Sequence, residues 1–96
     1  MNLSSKSSPK TIHVFAYRLK EARLKANLTQ EQLGILAGID EFSASARMNQ
    51  YERGVHMPDL KFVEKLAKVL KVPAPYFYAR EDGLAEWILL FNSTKN

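Results

Sequence analysis

Thr29-Gln30-Glu31-Gln32-Leu33-Gly34-Ile35-Leu36-Ala37-Gly38 is the stretch on which the reading of this chain turns. Thr29 and Gln32 predict a capping box: the Thr29 hydroxyl accepts from the Gln32 amide, and the Gln32 side chain reaches back to the amide of Thr29. A helix therefore starts here, and it is short, because Gly38 stops it. Gly34 inside that helix costs about 1 kcal/mol relative to alanine. Such a glycine points to a second helix packed so closely that a bulky side chain would hold it away. After Ile39, Asp40 to Ser43 reads as a polar turn containing Phe42. Ala44 to Arg53 reads as the next helix, with Ser43 as its N-cap and Gly54 as its end.

A short capped helix, a small residue inside it, a glycine turn and a helix opening with small and polar residues have the composition of a helix-turn-helix. Upstream, Ile12, Phe15, Leu19, Ala22 and Ala26 recur at spacings of three and four, the stripe of an amphipathic helix capped by Thr11. Its other face carries Arg18, Lys20, Glu21 and Lys25, and Asn27 is placed to end it in a left-handed conformation. Downstream, Val55-His56-Met57-Pro58 is a connection. Asp59 caps a fourth helix whose inner face is Leu60, Val63, Leu66, Ala67 and Leu70. Pro73 and Pro75 interrupt the chain, Pro75 suiting the first turn of a short fifth helix that carries Phe77. Asp82 caps a last helix, Gly83 to Phe91. With no strand signal, the expected fold is all-α. Residues 1–10, rich in serine and without periodic apolar residues, are expected to be a flexible arm.

The bulk composition narrows the function classes. The chain has 96 residues, 46% of them hydrophobic and 25% charged, which suits one soluble globular domain. There is no cysteine, which removes disulfides, thiolate zinc sites and cysteine nucleophiles together. His13 has no partner histidine or cysteine at metal spacing, so no metal site and no cofactor are expected. Nor is there a glycine-rich phosphate loop or an evident carboxylate pair, and the expectation is not an enzyme. No apolar run approaches the about 18 to 20 residues that span a bilayer, and residues 1–10 lack the apolar stretch of a signal peptide; a cytoplasmic protein with no membrane partner is expected. The formal net charge is +4 and the sequence pI is near 9.5. That balance favours a polyanionic partner, because lysine and arginine gain affinity by releasing counterions from phosphates.

From Phe15 to Tyr78 the residues also resemble the lambda-repressor-like (Xre/Cro-type) helix-turn-helix domains. The resemblance rests on Arg18-Leu19-Lys20, Arg23, Leu28-Thr29-Gln30-Glu31-Gln32-Leu33, Ala37-Gly38, Tyr51-Glu52-Arg53-Gly54, Pro58-Asp59-Leu60 and Leu66-Ala67, in that order. It implies five helices, with helices two and three as the DNA-reading unit and the chain's last helix as an addition. The expected division is an arm over 1–10, a DNA-binding domain over 11–80, and a C-terminal helix and tail over 81–96. The resemblance places Gln30 on a phosphate at the start of helix two, where amides and helix dipole favour an anion. It makes Arg23 and Glu52 an ion pair that fixes helix three, with phosphate contact by Arg23 secondary. Arg53 and His56 fall where phosphates are touched, and Lys6 and Lys10 could trail across others. Ser45, Ala46, Arg47, Asn49 and Gln50 fall on base-facing positions. Their chemistry suits that: arginine bonds guanine bidentately, asparagine and glutamine bond adenine, and an alanine methyl can touch a thymine methyl. Met48 and Tyr51 match inward positions, with the Tyr51 hydroxyl reaching toward water.

Three departures accompany the resemblance. The stretch from Gly38 to Gly54 is longer than the family's by about four residues, around Asp40 to Phe42. Aligning backward from Glu52-Arg53-Gly54 gives the positions above, whereas aligning forward from Gly38 shifts the reading residues toward Phe42 and Ser43. The backward register is preferred because Met48 and Tyr51 then face inward. Ile35, Leu36 and Phe42 are apolar where polar residues are usual, and are expected to pack together. The last helix carries Leu84, Trp87, Ile88, Leu89, Leu90 and Phe91. It either covers the core or forms a two-fold interface through Trp87, Ile88, Leu90 and Phe91. The expected function is sequence-specific binding of double-stranded DNA as a bacterial or phage-derived transcriptional regulator, probing DNA as a homodimer. The rival is a protein-binding module such as an antitoxin that clamps a toxin, with autoregulatory DNA binding.

Overall fold

In the computed structural model, the backbone is described for residues 3–95 and the side chains for residues 11–92. The capping box is formed: the Thr29 amide donates to Gln32 Oε1 at 2.9 Å and the Gln32 amide to Thr29 Oγ1 at 3.0 Å. It opens α2 (Gln30–Leu36), which follows α1 (Leu3–Lys25). Then come α3 (Glu41–Glu52), α4 (Leu60–Leu70), a 3₁₀ helix (Ala74–Tyr78) and α5 (Asp82–Lys95), so the described residues are helical with no strand. Asn27 and Lys71 adopt the left-handed conformation that ends α1 and α4, and Gly38 and Gly54 do the same after α2 and α3. The arm expected over 1–10 falls on residues 1–2, which lie outside the described residues, and on 3–10, whose side chains do. Thr11, expected as an N-cap, lies inside α1.

The core is built from one face of each helix. Phe15 and Leu19 of α1, Leu33 of α2, Ala44 and Met48 of α3, Val63 and Leu66 of α4 and Phe77 of the 3₁₀ helix have no exposed surface. Ala44, Met48 and Tyr51 form the inner stripe of α3, so the inward positions expected for Met48 and Tyr51 are occupied as read. Leu60 departs from the expected stripe of α4. It stands at the first residue of the helix, at the edge of a groove shared with Pro75, Tyr78, Leu84 and Ile88, and is largely exposed.

The region between Gly38 and Gly54 corrects the sequence reading. Helix three begins at Glu41, with Asp40 at its N-cap, so Asp40 to Phe42 is no inserted turn and Ser43 is no cap. The extra residues are taken up as helix. Four residues are close to one 3.6-residue turn, so a helix can gain them and still present nearly the same face inward. Ala44 faces Gly34 at the start of α3 while Glu52 meets Arg23 at its end. The two alignments therefore agree on the buried face and differ only in which turn leads. Phe42 does not pack on Ile35 and Leu36 either: it is 92% exposed, and those two are 44% and 60% exposed.

Candidate nucleic-acid interface

The site is a joint with a free face. At the joint, α2 and α3 approach so closely that a Cβ on Gly34 would lie 2.8 Å from Ala44 Cβ and 3.1 Å from the Ala44 backbone. No real side chain tolerates that distance, so glycine at 34 is what lets the two helices meet. The second lock is ionic. The Arg23 guanidinium forks onto the Glu52 carboxylate, Nη2 to Oε1 at 3.0 Å alongside Nε to Oε2, and its Nη1 donates to the Leu28 carbonyl at 2.8 Å. Gln30 Nε2 donates to Glu52 Oε1 at 3.1 Å. One buried carboxylate thus ties α1, the start of α2 and the end of α3, with the bidentate geometry that only arginine provides.

A third contact sets the exit of α3. Gly54 has φ +72°, and a Cβ there would meet His13 Nδ1 at 3.1 Å. The imidazole of α1 therefore lies against the turn that carries the chain from Arg53 toward α4, and the positive φ favours glycine at 54.

Away from the joint, α3 presents its outward side. Ser45, Ala46, Gln50 and Arg53 are exposed and Asn49 is half-buried, which brings these expected reading residues onto one accessible surface. Arg47 is different. Its Nη2 donates to the Tyr51 hydroxyl at 2.8 Å, and its guanidinium lies 5.8 and 5.9 Å from the ring centroids of Tyr51 and Phe62. Arg47 is exposed but leans toward α4, and the Tyr51 hydroxyl has a protein partner where water was expected. Arg23 donates three hydrogen bonds within the joint and Gln30 Nε2 one, which leaves the second Gln30 amide proton outside it. His56 is exposed in the α3–α4 connection.

Sequence reasoning missed Arg18, which it placed on the solvent face of helix one. The side chain is buried, with Nε donating to the Ala79 carbonyl at 2.9 Å and Nη2 to the Arg80 carbonyl at 3.3 Å. Nη2 also pairs with Asp82 at 3.0 Å, so Asp82 opens α5 as an ion-pair partner. Its position in a helical stripe beside Leu19 was the one available hint. Burial raises the Tyr76 phenol beside this arginine above its ordinary value of 10.0, and burial alone raises Tyr78. The Tyr17 phenol is raised first by its hydrogen bond to Glu21. None of the three lies on the outward face of α3. Among the described residues no cluster of histidine and acidic side chains could hold a metal ion, and no helix is long and apolar enough to cross a membrane.

A helix packed this closely on a capped partner helix and accessible along its outer side is the arrangement of a helix-turn-helix. Residues 16–83 match the helix-turn-helix domain family, and the chain belongs to it. It is also similar to the crystal structure of the transcriptional regulator BswR, with 58% sequence identity and a TM-score of 0.78 over 81% of this chain and 77% of that one. A comparison with curated proteins returns no match.

Proposed function

We propose that this chain is a cytoplasmic transcriptional regulator that binds double-stranded DNA sequence-specifically, with α3 in the major groove. The observation that carries the reading is the free face of α3 held on a rigid joint. Recognition of base edges demands placement within fractions of an ångström, and the Gly34–Ala44 approach with the Arg23–Glu52–Gln30 network supports such placement. The similarity to a protein described as a transcriptional regulator points the same way. Base contacts are assigned to Ser45, Ala46, Asn49 and Gln50, with Arg47 joining them if it leaves Tyr51. Phosphate contacts are assigned to Arg53, His56 and the remaining Gln30 amide proton, while Arg23 serves the joint. Binding is the whole of the proposed activity; no catalytic step is assigned.

The protein reads DNA as a homodimer through α5. That helix buries Ala85 and half-buries Ile88 and Leu89, yet leaves Leu84, Trp87, Leu90 and Phe91 between 46% and 65% exposed. Trp87 and Phe91 stack at 5.5 Å. Aromatic anchors on an apolar face are the usual core of an interface. The same face favours a second reading, an antitoxin whose α5 clamps a toxin.

Selection from a randomised duplex pool across a salt series tests the proposal. A two-fold symmetric motif is expected. Weak, sequence-independent and salt-sensitive binding alone would overturn it and favour the protein-binding module.

A further inference from the structure

Phe42 is 92% exposed, more than any other large apolar side chain among the described residues. It is the second residue of α3, the end that sits beside the α2–α3 turn. In a helix-turn-helix the N-terminal residues of the second helix are the ones that reach base edges. At about 100° per residue, Phe42 falls within about 40° of Ala46, Asn49 and Arg53, on the side opposite Ala44 and Met48. Glu41 is turned about 100° away from it.

An aromatic ring left in water forfeits the gain of burying it, and none of the described residues covers this one. Its neighbours also argue against a protein partner. Along the same face of α3 it is followed by Ser45, Ala46 and Asn49, small and polar groups, whereas an interface core needs contiguous apolar area. The Leu84–Trp87–Phe91 face of α5 has such area; the Phe42 surface is a single ring in a polar field. On the floor of the major groove the apolar feature that distinguishes one base from the others is the thymine C5 methyl.

We infer that Phe42 is a specificity residue that reads a thymine methyl by apolar contact from the first turn of α3. The assignment rests on the proposal that α3 enters the major groove. Phe42 stands in the first turn of α3, ahead of the polar residues at 45, 46, 49 and 50. Phe42 supplies no hydrogen bond, so it discriminates by methyl burial alone.

The test uses the full chain and the motif it selects from a randomised pool. Each thymine of that motif is replaced in turn by deoxyuracil, which removes the methyl and leaves every hydrogen-bonding group. At one thymine per recognition unit, wild-type affinity falls by about fourfold, the worth of one buried methyl group. Phe42→Ala binds the thymine duplex more weakly and no longer distinguishes the two bases, while Gln50→Ala still does. If uracil is tolerated at every position, or if every thymine sensitive to uracil stays sensitive in Phe42→Ala, the assignment is overturned while the groove reading stands. If no motif is selected at all, the groove reading falls and Phe42 falls with it.

Discussion

Arg18 and Arg23 stand five residues apart on α1, are both buried, and fasten different helices. Arg23 holds the end of α3 through Glu52, and Arg18 holds the start of α5 through the carbonyls of Ala79 and Arg80 and the carboxylate of Asp82. Their partners differ in exposure. The Glu52 side chain is 3% exposed and that of Asp82 is 82% exposed. A charge pair buried on both sides cannot lose one member without stranding the other, whereas Arg18 keeps two carbonyl partners if Asp82 is removed. The fixed α3 and the fastened α5 therefore rest on joints of unequal energetic weight, although each uses the same residue type from the same helix.

The largest effect expected is that of Glu52→Ala, which strands the Arg23 guanidinium and should lower unfolding free energy by about 3–5 kcal/mol. Urea denaturation measures it, and a loss under about 1 kcal/mol would mean that the buried pair is not what holds α3. Gly34→Ala forces a Cβ against Ala44 and should cost about 1–3 kcal/mol by overpacking. Adding Ala44→Gly should recover part of that loss, because the two positions share one contact; strict additivity in a double-mutant cycle would break the close-approach account. On the functional side of the same joint, Gln50→Ala should weaken binding to the selected motif by about 1–3 kcal/mol and relax its sequence preference. Gln30→Ala should weaken all duplexes alike, and a uniform effect from both variants would remove Gln50 from the specificity set. Smallest of all, Asp82→Asn at the exposed joint should change stability by no more than about 1 kcal/mol. A larger loss in thermal unfolding would make the two joints equivalent.

The same contrast separates what each reading could see. The Arg23–Glu52 pair was legible because the family resemblance, carried in part by Arg23 and by Tyr51-Glu52-Arg53-Gly54, implies it. The Arg18 joint was not, because Ala79, Arg80 and Asp82 lie about sixty residues away and form no local pattern with it. On α5 the apolar residues were legible as a group, but which of them face the core depended on how the helix is tethered. Phe42 shows the limit most clearly. Sequence placed it in a turn and buried it against Ile35 and Leu36; in the fold it is a bare ring on the reading helix.

By itself the sequence determined the all-α class, the capped α2, the glycine at the α2–α3 contact, the stops at Asn27, Gly38 and Gly54, and the inward stripe of Met48 and Tyr51. These follow from short-range rules, namely hydrogen bonds over three or four residues, allowed backbone angles and helical periodicity. Only the tertiary structure decided that Glu41, Phe42 and Ser43 become the first turn of α3, that Arg47 folds onto Tyr51 and Phe62, and that Arg18 is buried. Those outcomes depend on which distant groups come within a few ångströms, and four residues added to a helix leave its facing nearly unchanged, so periodicity alone is blind to where the helix begins.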